Sequence, residues 1–187
     1  MAFLDEEQLK NIGFLYYGKN VQISDKTSFY NPKKISIGDF TRIDDFCVLS
    51  AGENGIEIGR NVHLSIGVTI VGGGKVIIKD FVGLSSKCSI FSGNDDYSGA
   101  YMTNPTIDSK FTNVTIGVVY IGKHVVIGAH SVILPNVKIN DGASVGCMSL
   151  IKSDCESFFV YAGIPAKVIK ERKRDLIKLE EEFLMIE

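Results

Sequence analysis

Branched aliphatic residues recur at every sixth position over most of the chain. The longest run lies in the C-terminal half and consists of Ile121, Ile127, Ile133, Ile139, Val145 and Ile151. Shorter runs with the same spacing precede it: Ile37, Ile43 and Leu49, then Ile58, Leu64 and Ile70, then Ile78, Leu84 and Ile90. This period fits neither an α-helix, with about 3.6 residues per turn, nor the two-residue alternation of an ordinary antiparallel strand.

The period predicts an all-β solenoid wound around a triangular prism, in which each six-residue unit forms one short strand and one corner. Three units close a coil of about 18 residues, and residues one coil apart stack as parallel strands about 4.8 Å apart. The aliphatic side chains fill the prism, and the glycines and asparagines beside them suit the backbone dihedrals of the corners. A β-sandwich is the alternative, but it requires two-residue alternation and turns about every 8–12 residues.

The repeat is interrupted at three places. The largest interruption runs from Gly93 to about Val118, some 26 residues. Smaller ones lie at Glu53–Gly55 and at Gly72–Lys75. Because a long segment expelled from a rigid solenoid is often functional, we predict an extruded loop over residues 93–118 within a β-helix domain of residues 21–165.

Both ends of the solenoid are predicted to carry helical caps. Residues 1–20 form the N-terminal cap, with a short helix over residues 4–12 that Asp5 starts and Gly13 ends. Residues 166–187 are predicted to form a C-terminal helix. Its apolar residues lie roughly on one face: Ile169, Leu176, Leu179, Phe183 and Ile186.

Composition narrows the class of protein. Of the 187 residues 45% are hydrophobic, and 20 basic against 22 acidic residues leave a net charge of −2. A chain of this hydrophobicity is not disordered, and it lacks the basic surface that nucleic acid binding requires. No apolar stretch of about 18 residues exists, so no membrane span is predicted. Residues Met1–Glu7 are acidic where a signal peptide is basic, which favours a cytoplasmic protein.

The hexads, the loop and the segment Ala162–Lys167 together resemble the hexapeptide-repeat acyltransferases, and most closely their maltose, galactoside and chloramphenicol acetyltransferase branch. The hexads identify the fold as a single-stranded left-handed parallel β-helix. The segment Ile127–Pro135, read with the Gly163–Lys167 segment, is more specific to this branch. The resemblance covers about residues 30–170.

The resemblance implies a homotrimer with an active site in each groove between adjacent prisms. Acetyl-CoA would act as co-substrate, with its pantetheine arm parallel to the prism axis. Carried over by hexad register, Ala129 and Cys147 would line the pantetheine. The three lysines Lys152, Lys167 and Lys170 would meet the nucleotide phosphates, a role that suits a point charge.

One position departs from the family pattern. Members of this branch carry a general-base histidine in the loop, and the corresponding residue here is Asp95, in a loop without any histidine. Three explanations stay open. Asp95 or Asp96 replaces the histidine, since adjacent carboxylates can raise one pKa by repulsion. Alternatively, His63 reaches the groove from its corner. As a third explanation, the acceptor is an amine that needs little activation, or the protein is not an enzyme.

The beginning of the loop carries residue types that suit a sugar acceptor. Asn94, Tyr97 and Ser98 offer hydrogen bonds and an aromatic face beside the two carboxylates, although a simple turn would use the same residues. The chain's three histidines, His63, His124 and His130, lack the spacing of a zinc site, and no metal is expected. His124 and His130 are expected to face solvent at neighbouring corners.

These observations predict an acetyl-CoA-dependent O-acetyltransferase acting on a sugar hydroxyl. By analogy with similar chains, its setting would be the synthesis of bacterial surface polysaccharide or lipopolysaccharide. The first alternative is N-acetylation of an amino sugar, free or nucleotide-linked, which the missing loop histidine favours. The second alternative is a non-catalytic trimeric β-helix that serves as a scaffold or binding module.

Overall fold

The structure, a computed structural model, describes residues 2–186. Within these residues, three sheets of six, eight and six strands form the sides of a left-handed triangular prism, and their strands are parallel except for the last strand of the eight-stranded sheet. The chain visits the sheets in turn, so successive strands in one sheet are one coil apart. The fold is the one that the hexads predict.

Within the described residues the prism has six complete coils. The first four hold β1 (Tyr16–Tyr17), β2 (Gln22–Ile23), β3 (Ser28–Tyr30), β4 (Ile35–Ile37), β5 (Arg42–Ile43), β6 (Val48–Ala51), β7 (Ile56–Ile58), β8 (His63–Leu64), β9 (Thr69–Gly72), β10 (Val76–Ile78), β11 (Gly83–Leu84) and β12 (Ser89–Phe91). A loop follows, with the antiparallel pair β13 (Gly93–Asn94) and β14 (Thr115–Ile116) and a 3₁₀ turn at Ser109–Phe111. The last two coils hold β15 (Val119–Ile121), β16 (Val126–Ile127), β17 (Val132–Ile133), β18 (Val137–Ile139), β19 (Ser144–Val145) and β20 (Leu150–Ile151).

The loop leaves the register of the prism intact. Ile78 of β10 pairs with Ile121 of β15, although the whole loop lies between them in sequence. All fifteen aliphatic residues predicted to fill the prism are no more than 4% exposed. Burying a side chain of this size stabilises the fold by about 1.5–3 kcal/mol, and the continuous column therefore dominates the stability of the solenoid.

The glycines after the aliphatics serve a different purpose from the predicted one. A Cβ on Gly38 would lie 2.5 Å from the carbonyl carbon of Gly59, and one on Gly128 would lie 2.4 Å from the amide nitrogen of Cys147. These glycines allow successive coils to approach closely. The left-handed corner conformation falls two residues later and is adopted by side-chain-bearing residues such as Phe40 and His130, with φ of 57° and 59°.

The N-terminal cap has the predicted helix, α1 (Glu6–Ile12). Asp5 and Gln8 form a reciprocal capping box, and Gly13 ends the helix in the left-handed conformation with φ of 78°. The prism itself begins earlier than residue 21, because Tyr16–Tyr17 already pairs with β4.

The C-terminal segment is only partly helical. Residues 166–171, predicted to be helical, form β22 (Ala166–Glu171), which pairs antiparallel with β21 (Phe159–Gly163). The β-branched residues Val168 and Ile169 suit a strand, and the end of the prism offers unpaired backbone groups that this hairpin satisfies. Helix α2 (Leu176–Leu184) follows. Among residues 2–186, neither helix has the length and hydropathy of a membrane-spanning segment.

Helix α2 packs along one corner of the prism through a half-buried ionic contact. Glu180 accepts hydrogen bonds from Lys123 and from Nε2 of His124, the latter at 2.6 Å. The ring of His124 stacks on Phe81, one coil earlier, with 5.2 Å between centroids, and Phe183 of α2 meets Phe81 edge-on. The expectation that His124 faces solvent is therefore wrong, because α2 covers this corner.

We expect the attachment of α2 to weaken in acid. Burial raises the pKa of Glu180, but the hydrogen bonds from Lys123 and His124 outweigh it and hold the pKa below the ordinary value of 4.5. A carboxyl with a lowered folded-state pKa stabilises the structure above its unfolded pKa, and this contribution is lost as the pH falls through the folded value.

Hydrogen exchange of residues 176–184 measures this attachment. Protection should fall below pH ~4.5, and Glu180→Gln should lower it already at pH 7. Glu182→Gln is the matched control, because Glu182 is exposed and contacts only Lys178 among the ion pairs of residues 2–186. Equal protection in wild type and Glu180→Gln at pH 7 would contradict the ionic attachment.

Candidate active site

The outer surface of the eight-stranded sheet carries a row of residues that stack one per coil. Arg42 pairs with His63, His63 with Gly83, Gly83 with Val126, and Val126 with Ser144. The adjoining corner carries a second row, in which Ser86 precedes Ala129 and Ala129 precedes Cys147. Two backbone hydrogen bonds record this stacking, from His130 N to Ser86 O at 3.0 Å and from Met148 N to Ala129 O at 2.8 Å.

A cavity of about 410 Å³ opens between these two rows, and we call it the His63 pocket. Its lining is His63, Ser65, Gly83, Leu84, Ser85, Ser86, Val126 and Ala129. Gly83 lies between the side chains of His63 and Val126 in the row. The pocket therefore brings His63, a predicted catalytic residue, together with Ala129, a predicted pantetheine contact.

His63 is held by a buried carboxylate. Its Nε2 lies 2.9 Å from Oδ2 of Asp44, and Nε of Arg42 donates to Oδ1 of Asp44 at 2.7 Å. Burial raises the pKa of Asp44, but the hydrogen bonds from Arg42 and His63 outweigh it and lower the pKa below its ordinary value. Asp44 therefore stays ionised and fixes the imidazole, which leaves Nδ1 as the ring nitrogen not bonded to Asp44.

Hydroxyl groups line the other side of the His63 pocket. The Oγ atoms of Ser65 and Ser86 lie 3.1 Å apart, and Ser85 also contributes to the lining. Together with His63 they offer several donors and acceptors next to the apolar side chain of Val126. Such a surface suits a small polar ligand that has one apolar edge.

The extruded loop forms a second cavity, of about 390 Å³, which we call the loop pocket. Asn94 and Asp95 line it with Gly72, Gly73, Gly93, Asn104, Pro105, Ile107, Ser109, Thr112 and Val114. Asp95 directly follows β13, whose pairing with β14 anchors the base of the loop. Asp95 is partly exposed. Its carboxylate therefore lies at the anchored base of the loop, with access to a ligand.

Asp96 is engaged within its own loop and does not line the loop pocket. It accepts hydrogen bonds from the amide and the hydroxyl of Ser98, at 2.8 and 2.6 Å. These bonds, chiefly the one from the Ser98 hydroxyl, lower the pKa of Asp96. The suggestion that repulsion raises the pKa of a carboxyl here is thus wrong for Asp96. Tyr97 extends into solvent with 85% of its surface exposed.

The predicted phosphate-binding lysines divide into two groups. Lys167 and Lys170 lie on β22 opposite Ala162 and Val160, the residues that flank the inward-facing Tyr161. Since opposite residues of an antiparallel pair share a side, both lysines project from the outer surface of the sheet. Lys152 follows β20, at the other end of that strand from the corner that holds Cys147. The structure therefore does not place it with the other two.

Cys147 lies exposed at the corner, one coil after Ala129, whereas Cys47, Cys88 and Cys155 are buried. Together the two rows form a continuous strip of surface, which we call the track. It runs from the His63 pocket past Ala129 and Cys147 to the β21–β22 hairpin. Three coil steps lead from Ser86 to Gly163, a distance of about 14 Å.

Sequence reasoning missed Asp44, which holds His63, and several lining residues of the His63 pocket, among them Ser65, Gly83, Ser85 and Ser86. A usable signal exists in the serines: Ser65 and Ser85 both follow an inward leucine directly. Residues at the same phase of successive coils stack, so Ser65 and Ser85 are expected in one row, although the hydroxyl that lies 3.1 Å from that of Ser65 belongs to the next residue, Ser86.

Comparisons with known proteins extend these observations. Residues 118–153 match the bacterial transferase hexapeptide family, six repeats. The dTDP-4-amino-4,6-dideoxy-D-glucose acyltransferase of Escherichia coli is 53% identical over 183 residues, which cover 98% of this chain and 95% of that protein. The galactoside O-acetyltransferase of E. coli K12 is 26% identical, with 90% and 80% covered.

Crystal structures of AntD, an N-acyltransferase from Bacillus cereus, superpose closely on this chain. The complex with dTDP and 3-hydroxybutyryl-CoA gives a TM-score of 0.92 at 45% identity, covering 98% of this chain and 96% of that one. A serine-to-alanine variant in complex with dTDP-4-amino-4,6-dideoxyglucose and coenzyme A gives 0.95 at 44% identity, with 100% and 99% covered.

Proposed function

The chain belongs to the hexapeptide-repeat acyltransferase family, and from that premise we propose that it transfers an acyl group from acyl-CoA to the amino group of a dTDP-linked 4-amino-4,6-dideoxy sugar. The observation that carries the proposal is the 53% identity, over 98% of the chain, to an enzyme named for that acceptor. The relatives favour the N-acyl alternative over O-acetylation, because the O-acetyltransferase is only 26% identical. The chain is an acyltransferase, which sets aside the non-catalytic alternative.

The absent loop histidine supports an amine acceptor. A hydroxyl needs a general base before it attacks a thioester, whereas a neutral amine already carries a nucleophilic lone pair and needs an acceptor only for the proton it loses once the carbon–nitrogen bond has formed. In the proposed step the amine nitrogen attacks the thioester carbon, the carbon–sulfur bond breaks, and the amine loses one proton. Asp95 accepts that proton and passes it to the departing CoA sulfur, which leaves as the thiol.

The track along the corner supports the donor site. The pantetheine arm would run past Ala129 and Cys147, so that the thioester reaches the His63 pocket. Lys167 and Lys170, on the outer surface beyond Cys147, would meet the phosphates of CoA. Because Lys152 lies at a different corner, we assign it no contact with the phosphates.

The His63 pocket is the proposed acceptor site. His63, Ser65, Ser85 and Ser86 would bind hydroxyl groups of the sugar, and Val126 would face its deoxygenated edge. His63 then acts in binding, with Asp44 as a positioning residue. AntD variants in which a serine or an aspartate is replaced have been crystallised with dTDP or the amino sugar. In this chain, serines line the His63 pocket and an aspartate lines the loop pocket.

A homotrimer would complete the site. The loop pocket and the His63 pocket have no lining residue in common. We propose that the loop of one protomer covers the His63 pocket of its neighbour, so that Asp95, Asn94 and Ser98 approach the acceptor from the partner side. The loop carries exposed apolar residues, including Tyr97, Tyr101, Met102 and Phe111, that such packing would bury. The cytoplasmic location and the surface-polysaccharide setting stay predictions.

The proposal is tested by release of the CoA thiol with two matched acceptors. We expect rapid release with dTDP-4-amino-4,6-dideoxyglucose and at least about 100-fold slower release with the dTDP sugar that carries a hydroxyl at the same carbon, since a neutral hydroxyl needs a base. Equal rates with the two acceptors would contradict an enzyme built for amines.

A further inference from the structure

Gly83 is the one residue without a side chain in the row that Arg42, His63, Gly83, Val126 and Ser144 form on the outer surface of the sheet. The residue one coil earlier is His63, and the residue one coil later is Val126. Both carry bulky side chains on the outer surface of the sheet. The space between them is open at Gly83, and it forms part of the cavity of about 410 Å³.

Neither backbone conformation nor packing requires glycine at this position. A Cβ built on Gly83 would have no neighbour closer than Cγ2 of Val126, at 3.9 Å, and the φ angle lies outside the left-handed region. All 19 glycines of the chain fall within the described residues. Each of the other 18 either has a positive φ or would bring its Cβ within 3.3 Å of another atom. Gly83 is therefore the exception among them.

Glycine in a strand reduces stability, and an outward position on a sheet normally favours a β-branched residue. A glycine that no structural constraint demands indicates that the empty volume itself is useful. The pocket has hydrogen-bonding groups on one side and the apolar Val126 on the other. This arrangement fits a partly deoxygenated sugar ring better than a linear acyl chain, which would need no array of hydroxyl partners.

We propose that Gly83 determines acceptor specificity by leaving room for the ring of the amino sugar between His63 and Val126. The inference rests on the proposed function and assigns the substrate's position within that site. A side chain at residue 83 would enter this volume, and its Cβ would have no atom of Ala129 or Cys147 within 4 Å. Acceptor binding and donor binding should therefore respond differently to a substitution.

The test is steady-state kinetics of full-length Gly83→Ala and Gly83→Val with acetyl-CoA and dTDP-4-amino-4,6-dideoxyglucose. We expect kcat/KM for the sugar to fall by about 10-fold or more in Gly83→Val, and by less in Gly83→Ala, because overpacking a filled site has about this effect. The KM for acetyl-CoA should stay within about twofold of wild type. The melting temperature should rise by about 2–4 °C, as for a strand glycine replaced without strain.

Ser36→Val is the matched control, since Ser36 is the outward residue of β4 on another sheet and lines neither pocket. It should leave both KM values unchanged. An unchanged sugar KM in Gly83→Val, a rise confined to the KM of acetyl-CoA, or a drop in melting temperature would each overturn the inference. These results are distinct from failure of the proposed function, which would show as absence of turnover in wild type and would overturn both.

Discussion

Replacing Asp95 by alanine is expected to lower kcat by about 10²- to 10⁴-fold while leaving the affinity for CoA nearly unchanged. Asp95 lines the loop pocket, directly after the strand pair that fixes the base of the loop. By hexad count it takes the loop position at which the sequence predicts a general base, and among residues 2–186 no other carboxylate lines the loop pocket. Its loss removes the group that takes the proton from the amine, and it creates no disturbance in the prism core.

Asp96→Asn is the matched control for this experiment. The Asp96 carboxylate is occupied by hydrogen bonds from Ser98, and asparagine keeps the acceptor oxygen and the shape of the turn. We expect its kcat to stay within about fivefold of wild type. The roles of Asp95 and Asp96 are distinguished by measuring kcat at saturating acceptor and the affinity for CoA by calorimetry. A wild-type rate in Asp95→Ala, or equal losses in both variants, would contradict the assignment of Asp95.

Reversing the charge of Lys167 and Lys170 together is expected to weaken CoA binding by about 100-fold at low salt. Both lysines project from the outer surface of the sheet, beyond Cys147 on the proposed donor track. Each glutamate removes a charge-assisted contact to phosphate and adds repulsion. Because these groups are exposed to solvent, the loss should shrink as ionic strength rises.

Lys152→Glu is the control for the lysine pair, because it makes the same type of substitution, once, at a different corner of the prism. Its effect on the dissociation constant of CoA should stay below about threefold. Calorimetric titration at two salt concentrations would give the dissociation constant of CoA for wild type, for the double variant and for Lys152→Glu. Equal weakening by Lys152→Glu would restore the original set of three lysines, and unchanged binding in the double variant would remove the phosphate contact.

The sequence predicts the prism well because every coil repeats the same environment. Each aliphatic at the sixth position faces one continuous core, so the pattern is local and survives even the long loop before Val119. The hairpin at the C-terminus was not predictable in the same way. Val168 and Ile169 fit an amphipathic helix locally, and they become a strand only because Phe159–Gly163 offers an edge to pair with.

Which residues of the candidate site stack on one another could be predicted where the hexads are regular, but not where the repeat is interrupted. Ala129 and Cys147 are 18 residues apart, and the simple period places them in one row. His63 and Gly83 are separated by 20 residues, because the interruption at Gly72–Lys75 lengthens that coil. Stacking across such an interruption depends on how the extra residues are accommodated, which spacing alone does not determine. The pocket around Gly83 therefore emerges only from the register of the strands.

The bond in the product tests the central claim most directly. The protein would be incubated with acyl-CoA and an equal mixture of dTDP-4-amino-4,6-dideoxyglucose and hydroxyl-bearing nucleotide sugars. The acylated product would then be treated with alkaline hydroxylamine, which cleaves esters and spares amides, and analysed by mass spectrometry. We predict a single acylated amino sugar that survives the treatment. Acylated product that hydroxylamine cleaves would show transfer to oxygen and would contradict the account.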